Sequence, residues 1–221
     1  LVFDLLEGVS PPADADSLAY HFAIPKQFVS DGVVVFIPRP ASGAIPLLLH
    51  MTYTAAYATG GELAMTLWTM ATGWAAGLLV YVLARRFVSA EWALATTVLF
   101  LTTPAVLYGG GAGQVETRCA AFALATAVFL IEAHRRDALG PLFLAGLCAG
   151  FFVGSKYFGL IFAGSAGLVA LCHRRWFVRG TVFGTAILLT GFQWYLWNWL
   201  HTGDPLFPTL FQALGLPDTE Y

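Results

Sequence analysis

Glu62-Leu-Ala-Met-Thr-Leu-Trp-Thr-Met-Ala-Thr-Gly-Trp-Ala-Ala-Gly-Leu-Leu-Val-Tyr-Val-Leu83 carries one charge, at its first residue, and is followed, after Ala84, by Arg85 and Arg86. About 20 mostly apolar residues suffice to cross the hydrocarbon core of a bilayer as an α-helix. The stretch therefore reads as a membrane span stopped by a basic pair. Similar runs, bounded by charge, follow at residues 92–108, 115–131 and 181–200. Residues 141–172 are too many for one span and too few for two full ones, which predicts two short helices, 141–154 and 157–172, meeting at Ser155 and Lys156. The expectation is all-α: a polytopic transmembrane bundle of about six helices over 62–200. A long outer loop with interfacial helices precedes it over 7–61, and an outer tail follows over 201–221.

Composition agrees with this architecture and excludes others. Of 221 residues, 58% are hydrophobic and 11% charged, where a soluble domain carries about 25% charge. A soluble globular enzyme, a disordered chain and a coiled coil are excluded. The 11 Lys+Arg against 13 Asp+Glu leave no basic excess for phosphate backbones, so no nucleic-acid partner is expected. Cys119, Cys148 and Cys172 lie in apolar runs without ligand or redox spacing. Leu1 at the start and Tyr221 at the end suggest an incomplete piece of a longer chain, with 1–6 the end of an earlier span.

Charge distribution sets the orientation. Arg85, Arg86, Arg135, Arg136, Arg174, Arg175 and Arg179 fall in three short loops, which the positive-inside rule places in the cytoplasm. The outer side then receives 7–61, the glycine-rich residues 109–113, read as a flexible turn, and the tail. Most of the acids go with them, including Asp14, Asp16, Glu116, Asp218 and Glu220. Chemistry is expected on that elaborated outer face. Glu132 stands four residues before Arg136 on the inner side, the spacing of a helix ion pair. Gly146, Gly150 and Gly154 have the small-xxx-small spacing of close helix packing.

In the outer loop, residues 14–29 follow Pro11-Pro12 and read as a capped helix start leading into an amphipathic stretch at the membrane interface. Pro25 is expected to kink or end its first half, Gly32 to close it, an extended run to cover 33–37 before Pro38-Arg39-Pro40, and a second helix to begin near 45. Asp16 is either an N-cap or a carboxylate able to take a proton from a hydroxyl, and Asp14 shares the first role. His21 reads as a hydrogen-bonded interfacial histidine or a ligand, with no second ligand at helical spacing. Glu116 is a first-turn acid favoured by the helix dipole or a second acid of a site. Lys156, between two apolar helices, either snorkels to the surface or meets an anion.

Three motifs resemble one family. Pro11-Pro12 with Asp16-Ser-Leu-Ala-Tyr-His-Phe-Ala-Ile-Pro-Lys26, then Gly154-Ser-Lys-Tyr-Phe-Gly159, then Asn198 through Thr202-Gly-Asp-Pro-Leu-Phe-Pro208 are similar, in order, to motifs of the GT-C class of membrane glycosyltransferases. The likeness is to the bacterial branch that includes protein mannosyltransferases and lipopolysaccharide-core sugar transferases. Phe158, Trp197, Asp204 and Glu116 depart from that branch's usual threonine, arginine, asparagine and aspartate. The resemblance implies transfer of a sugar from a polyprenyl-phosphate donor to a glycan, lipid or protein acceptor, with inversion, at the outer face of a bacterial plasma membrane. It implies Asp16 as general base, Glu116 as second acid and Lys156 at the leaving phosphate, with Tyr20, His21, Asp14 and Arg118 as substrate contacts. No metal ligand is assigned, although Asp14, Asp16 and Glu116 could hold a divalent cation as in some relatives. Competing readings are a transporter, which normally shows repeated halves absent from this sequence, and a membrane scaffold using the aromatic-rich 192–199 as an interface belt.

Overall fold

The structure, a computed structural model, describes residues 2–37 and 43–215. The described residues form helices and no strand, so the fold is an all-α polytopic bundle. Pro38, Arg39, Pro40, Asp218 and Glu220, named above, lie outside the described residues.

A short α1 (Val2–Gly8) precedes a π-helical turn (Ser17–His21) and α2 (Ala23–Asp31). Gly32 ends α2 with φ 68°, the left-handed conformation that glycine adopts without a Cβ penalty. The 37-residue α3 (Leu48–Ala84) contains a break at Gly60 and Gly61, where Gly61 has φ 67°. That glycine pair divides α3 into a first arm, 48–59, and the apolar span 62–84.

The segment at 92–108 is not straight. It divides into α4 (Ala90–Thr102) and α5 (Pro104–Gly111), bent by 69°. Pro104 disfavours helical geometry in the residue before it, and Thr103 is extended at φ −63°, ψ 129°. α6 (Glu116–Arg135) follows, with its acid in the first turn and its bases in the last, as the helix dipole favours. By length and composition α3 and α6 qualify as spans, and α4 with α5 would make a third if counted together.

Next come α7 (Leu139–Val153), α8 (Phe158–Leu171) and α9 (Trp176–Gly191), all apolar and shorter than a full span. The run expected as one span over 181–200 is interrupted at Phe192, and α10 (Gln193–Thr202) continues it before the final α11 (Thr209–Leu214). The interruption sits at a tight approach. A Cβ added to Gly191 would meet the Gly150 carbonyl at 2.6 Å, and one added to Gly146 would meet the Phe183 carbonyl at 2.6 Å. The glycine spacing on α7 thus lets the α7 and α9 backbones touch, and Thr190 Oγ1 donates across the seam to the Leu147 carbonyl at 3.0 Å.

Ion pairs gather the three basic loops at one end of the bundle. Arg86 meets Glu132 at 2.9 Å, Glu132 also holds Arg136, and Asp137 holds Arg175 at 2.6 Å and His173 at 3.3 Å. The surrounding cations keep the Asp137 carboxyl below its usual range, Arg175 most of all. Glu116 begins α6 and Arg135 ends it, so the acidic cluster described next lies about 30 Å from this basic end.

Candidate active site

Asp14 folds the loop on which Asp16 stands. Its Oδ1 accepts the main-chain N–H of Asp16 at 3.1 Å and its Oδ2 that of Ser17 at 3.2 Å. Capping belongs to Asp14, and the Asp16 side chain makes no cap bond, leaving its carboxylate exposed. The next turn is π-helical, closed by Phe22 N–H on the Ser17 carbonyl at 2.9 Å. The change to α geometry comes at Phe22, three residues before Pro25. Proline has no N–H for the carbonyl four residues back, so it is accommodated in the first turn of α2.

The glycine run meets this loop from below. Gly109, Gly110 and Gly111 are buried helical residues of α5, not a flexible turn. The reason is Arg118, whose Nη2 donates to the Gly110 carbonyl at 2.7 Å and whose Nη1 donates to the Gln114 carbonyl at 2.7 Å and to that of Gly109. A cation on the last carbonyls of a helix satisfies acceptors that have no partner within it. Arg118 is 1% exposed. Small size is required here: a Cβ on Gly113 would meet Ser17 Oγ at 2.8 Å and one on Gly111 would meet Glu7 Cγ at 2.6 Å. Gly113 N–H donates to Ser17 Oγ at 2.7 Å, pinning the α5–α6 loop under the π-helical turn.

Gln114, not singled out in the sequence, joins the two halves. Its Nε2 lies 3.2 Å from Asp14 Oδ1 and 3.4 Å from Asp16 Oδ2. Two residues further, Glu116 forms an ion pair with Lys156 from the α7–α8 turn. Tyr20 lies within the field of all three acids: burial, then the charges of Asp16, Glu116 and Asp14, push its hydroxyl up to about 12. His21 is drawn inward and stacks on His50, with His21 Nδ1 2.8 Å from His50 Nε2. Burial first, then Lys156 and Arg118, lowers the His21 pKa to about 3. His50 has no periodic relation to His21 in the sequence, and only the fold brings them together.

The third motif supports the second. Tyr157, next to Lys156, donates its hydroxyl to the Phe207 carbonyl at 2.6 Å, and Asn198 Nδ2 donates to Tyr157 Oη at 3.1 Å and to the Ala44 carbonyl at 2.8 Å. Asp204 is buried and accepts the N–H groups of Leu206 at 2.7 Å and Phe211 at 3.0 Å. Residues 198–208 thus form a hydrogen-bonded knot that fixes the Lys156 turn.

Asp14, Asp16 and Glu116 do not converge as a cation site. The Gln114 amide stands between the first two and Lys156 neutralises the third. Among the described residues no group of three or more His, Cys, Asp or Glu could hold a metal ion.

The Asp14–Asp16 loop and the Lys156 turn thus meet at one end of a helical membrane bundle. Residues 46–197 match the family model described as dolichyl-phosphate-mannose-protein mannosyltransferase, and the chain belongs to that family. In fold it is similar to the crystal structure of ArnT from Cupriavidus metallidurans in the apo state, with a TM-score of 0.72 and 16% sequence identity. That likeness covers 96% of this chain and 42% of ArnT, so the chain spans less than half the length of that relative. No curated protein matches the sequence.

Proposed function

We propose that the protein transfers a sugar from a polyprenyl-phosphate donor to a hydroxyl of a glycan, lipid or protein acceptor, with inversion, on the extracytoplasmic face of a bacterial plasma membrane. The observation that carries this reading is the meeting of Asp14 and Asp16 with Gln114, about 100 residues away in sequence, beside the Glu116–Lys156 pair. Family membership supports the reaction class. The seven arginines at the opposite end support the orientation, since basic loops stay cytoplasmic.

The chemistry follows from charge. Asp16 takes the proton of the acceptor hydroxyl, whose oxygen attacks the anomeric carbon as the bond from that carbon to the phosphate oxygen breaks. The electron pair leaves with the polyprenyl phosphate, and the proton on Asp16 passes to water. Lys156 faces the negative charge that grows on the departing oxygen, and a preplaced ammonium stabilises it without the reorganisation that water requires. Glu116 keeps Lys156 in place until the phosphate displaces it. Tyr20, His21 and Asp14 bind or shape the substrate beside Asp16, and Arg118 acts through the main chain it braces. The reading is tested by incubating the protein in proteoliposomes with a radiolabelled polyprenyl-phosphate hexose and bacterial membrane lipids. Labelled product of opposite anomeric configuration supports it. Intact donor in the presence of well-folded protein overturns it.

A further inference from the structure

Between α1, residues 10–15 and the end of α5 lies a cavity of about 500 Å³ walled by Glu7, Pro11, Pro12, Asp14, Tyr108 and Gly111. Its character differs from that of two other cavities. One, of about 770 Å³, runs between the two arms of α3 against Trp68 and Phe151, and another, of about 470 Å³, lies among Leu79, Phe122 and Phe151; both have almost wholly hydrocarbon walls. The cavity beside α1 instead presents two carboxylates, a phenol and two apolar proline rings. Gly111, which has no Cβ, lets the Glu7 side chain lie against the main chain there, and the Gly111 N–H holds Glu7 Oε2 at 3.1 Å. Tyr108 Oη lies 3.5 Å from Asp14 Oδ1, so the wall of the cavity and the Asp14–Asp16 loop share one carboxylate.

We infer that this cavity is the subsite for the body of the acceptor, and that it takes a sugar ring bearing hydroxyl or amino groups and no phosphate or carboxylate. The assignment rests on the transferase reading for its direction. An inverting displacement needs nucleophile and leaving group on opposite sides of the anomeric carbon. Lys156 marks the leaving side and Asp16 the nucleophile; the cavity is walled by Asp14 and Ala15, the residues that lead into Asp16, and Lys156 does not line it. The volume suits one or two rings, at the small end of the about 300–1,000 Å³ typical of ligand pockets. Carboxylates accept from adjacent hydroxyls or ammonium groups in charge-assisted bonds, and the tyrosine and proline faces suit the apolar face of a pyranose. Glu7 and Asp14, with Asp4 behind them, repel anions, while the nearest guanidinium, Arg118, is turned onto main-chain carbonyls.

Binding is read without turnover, so its failure is distinct from failure of the transfer reaction. Saturation-transfer NMR on the purified protein in a non-glycosidic detergent uses three probes: methyl α-D-mannopyranoside, D-glucosamine and D-mannose 6-phosphate. The first two are expected to bind, and the phosphate at least about tenfold more weakly. Tyr108→Phe and Glu7→Gln, the latter keeping an acceptor for Gly111 N–H, are each expected to weaken binding by about tenfold, the loss of one hydrogen bond to a charged or polar group. Equal binding of the phosphorylated probe, unchanged binding in both cavity variants, or no binding of any probe overturns the inference.

Discussion

Asp14 Oδ1 accepts the main-chain N–H of Asp16 at 3.1 Å, so one carboxylate builds the turn that presents the other. The two acids are two residues apart and have different work: Asp14 is engaged by Asp16, Ser17, Gln114 and Tyr108, while Asp16 is exposed toward solvent. Asp14→Asn keeps an oxygen for the cap and is predicted to retain most of kcat at saturating acceptor. Asp14→Ala loses the cap, at about 1 kcal/mol, and is predicted to lower kcat roughly tenfold by loosening Asp16. Transfer rates of the two variants check this. Loss of all activity in Asp14→Asn would make Asp14 the base.

Lys156→Ala is predicted to raise the KM for the polyprenyl-phosphate donor and to lower kcat by about 10²-fold, the scale of one lost charge stabiliser. Glu116→Gln is predicted to be milder, because it frees Lys156 without removing the ammonium. Steady-state kinetics with donor varied at fixed acceptor separates the two. Unchanged donor dependence in Lys156→Ala would return this lysine to a surface role.

Arg118→Ala removes the partner of the Gly109, Gly110 and Gln114 carbonyls at a position 1% exposed. Buried acceptors without partners cost about 1–3 kcal/mol each, so a clear drop in heat-unfolding midpoint is predicted, with loss of activity following loss of structure. Arg118→Lys is predicted not to rescue it, since one ammonium cannot span the carbonyls a guanidinium fork reaches. A wild-type midpoint in Arg118→Ala would refute the bracing role.

His21 titrates at about 3 in the folded chain against an ordinary 6.5. The unfolded chain therefore takes up the proton first as pH falls, so stability is full above about pH 6.5 and declines progressively toward about pH 3. The unfolding midpoint in detergent is predicted to fall between about pH 7 and pH 4, and less steeply in the double variant His21→Leu, His50→Leu. Identical pH slopes in wild type and double variant would contradict this.

Element positions were legible where hydrophobic runs ended at charge, as at Arg85 and Arg136, whereas the bend at Thr103, which Pro104 dictates, was hidden inside an unbroken apolar run. The role of Gly146, Gly150 and Gly154 was legible because a fixed spacing has one packing use. The glycine run at 109–113 misled, because helix formation there depends on Arg118 reaching back through space. Gln114 and His50 were invisible for the same kind of reason: their partners are 100 and 29 residues away, and no local pattern encodes such meetings. The break at Phe192 likewise accompanies a contact with α7, which the apolar run of 181–200 does not reveal.

The most direct measurement is sugar transfer from a radiolabelled polyprenyl-phosphate hexose in membranes containing the protein, wild type beside Asp16→Asn at equal abundance. Asn keeps the shape and removes the base, so label is predicted to reach product with wild type and to fall by about 10²–10⁴-fold with Asp16→Asn, the range for a general base. Equal transfer by the two proteins would contradict the account.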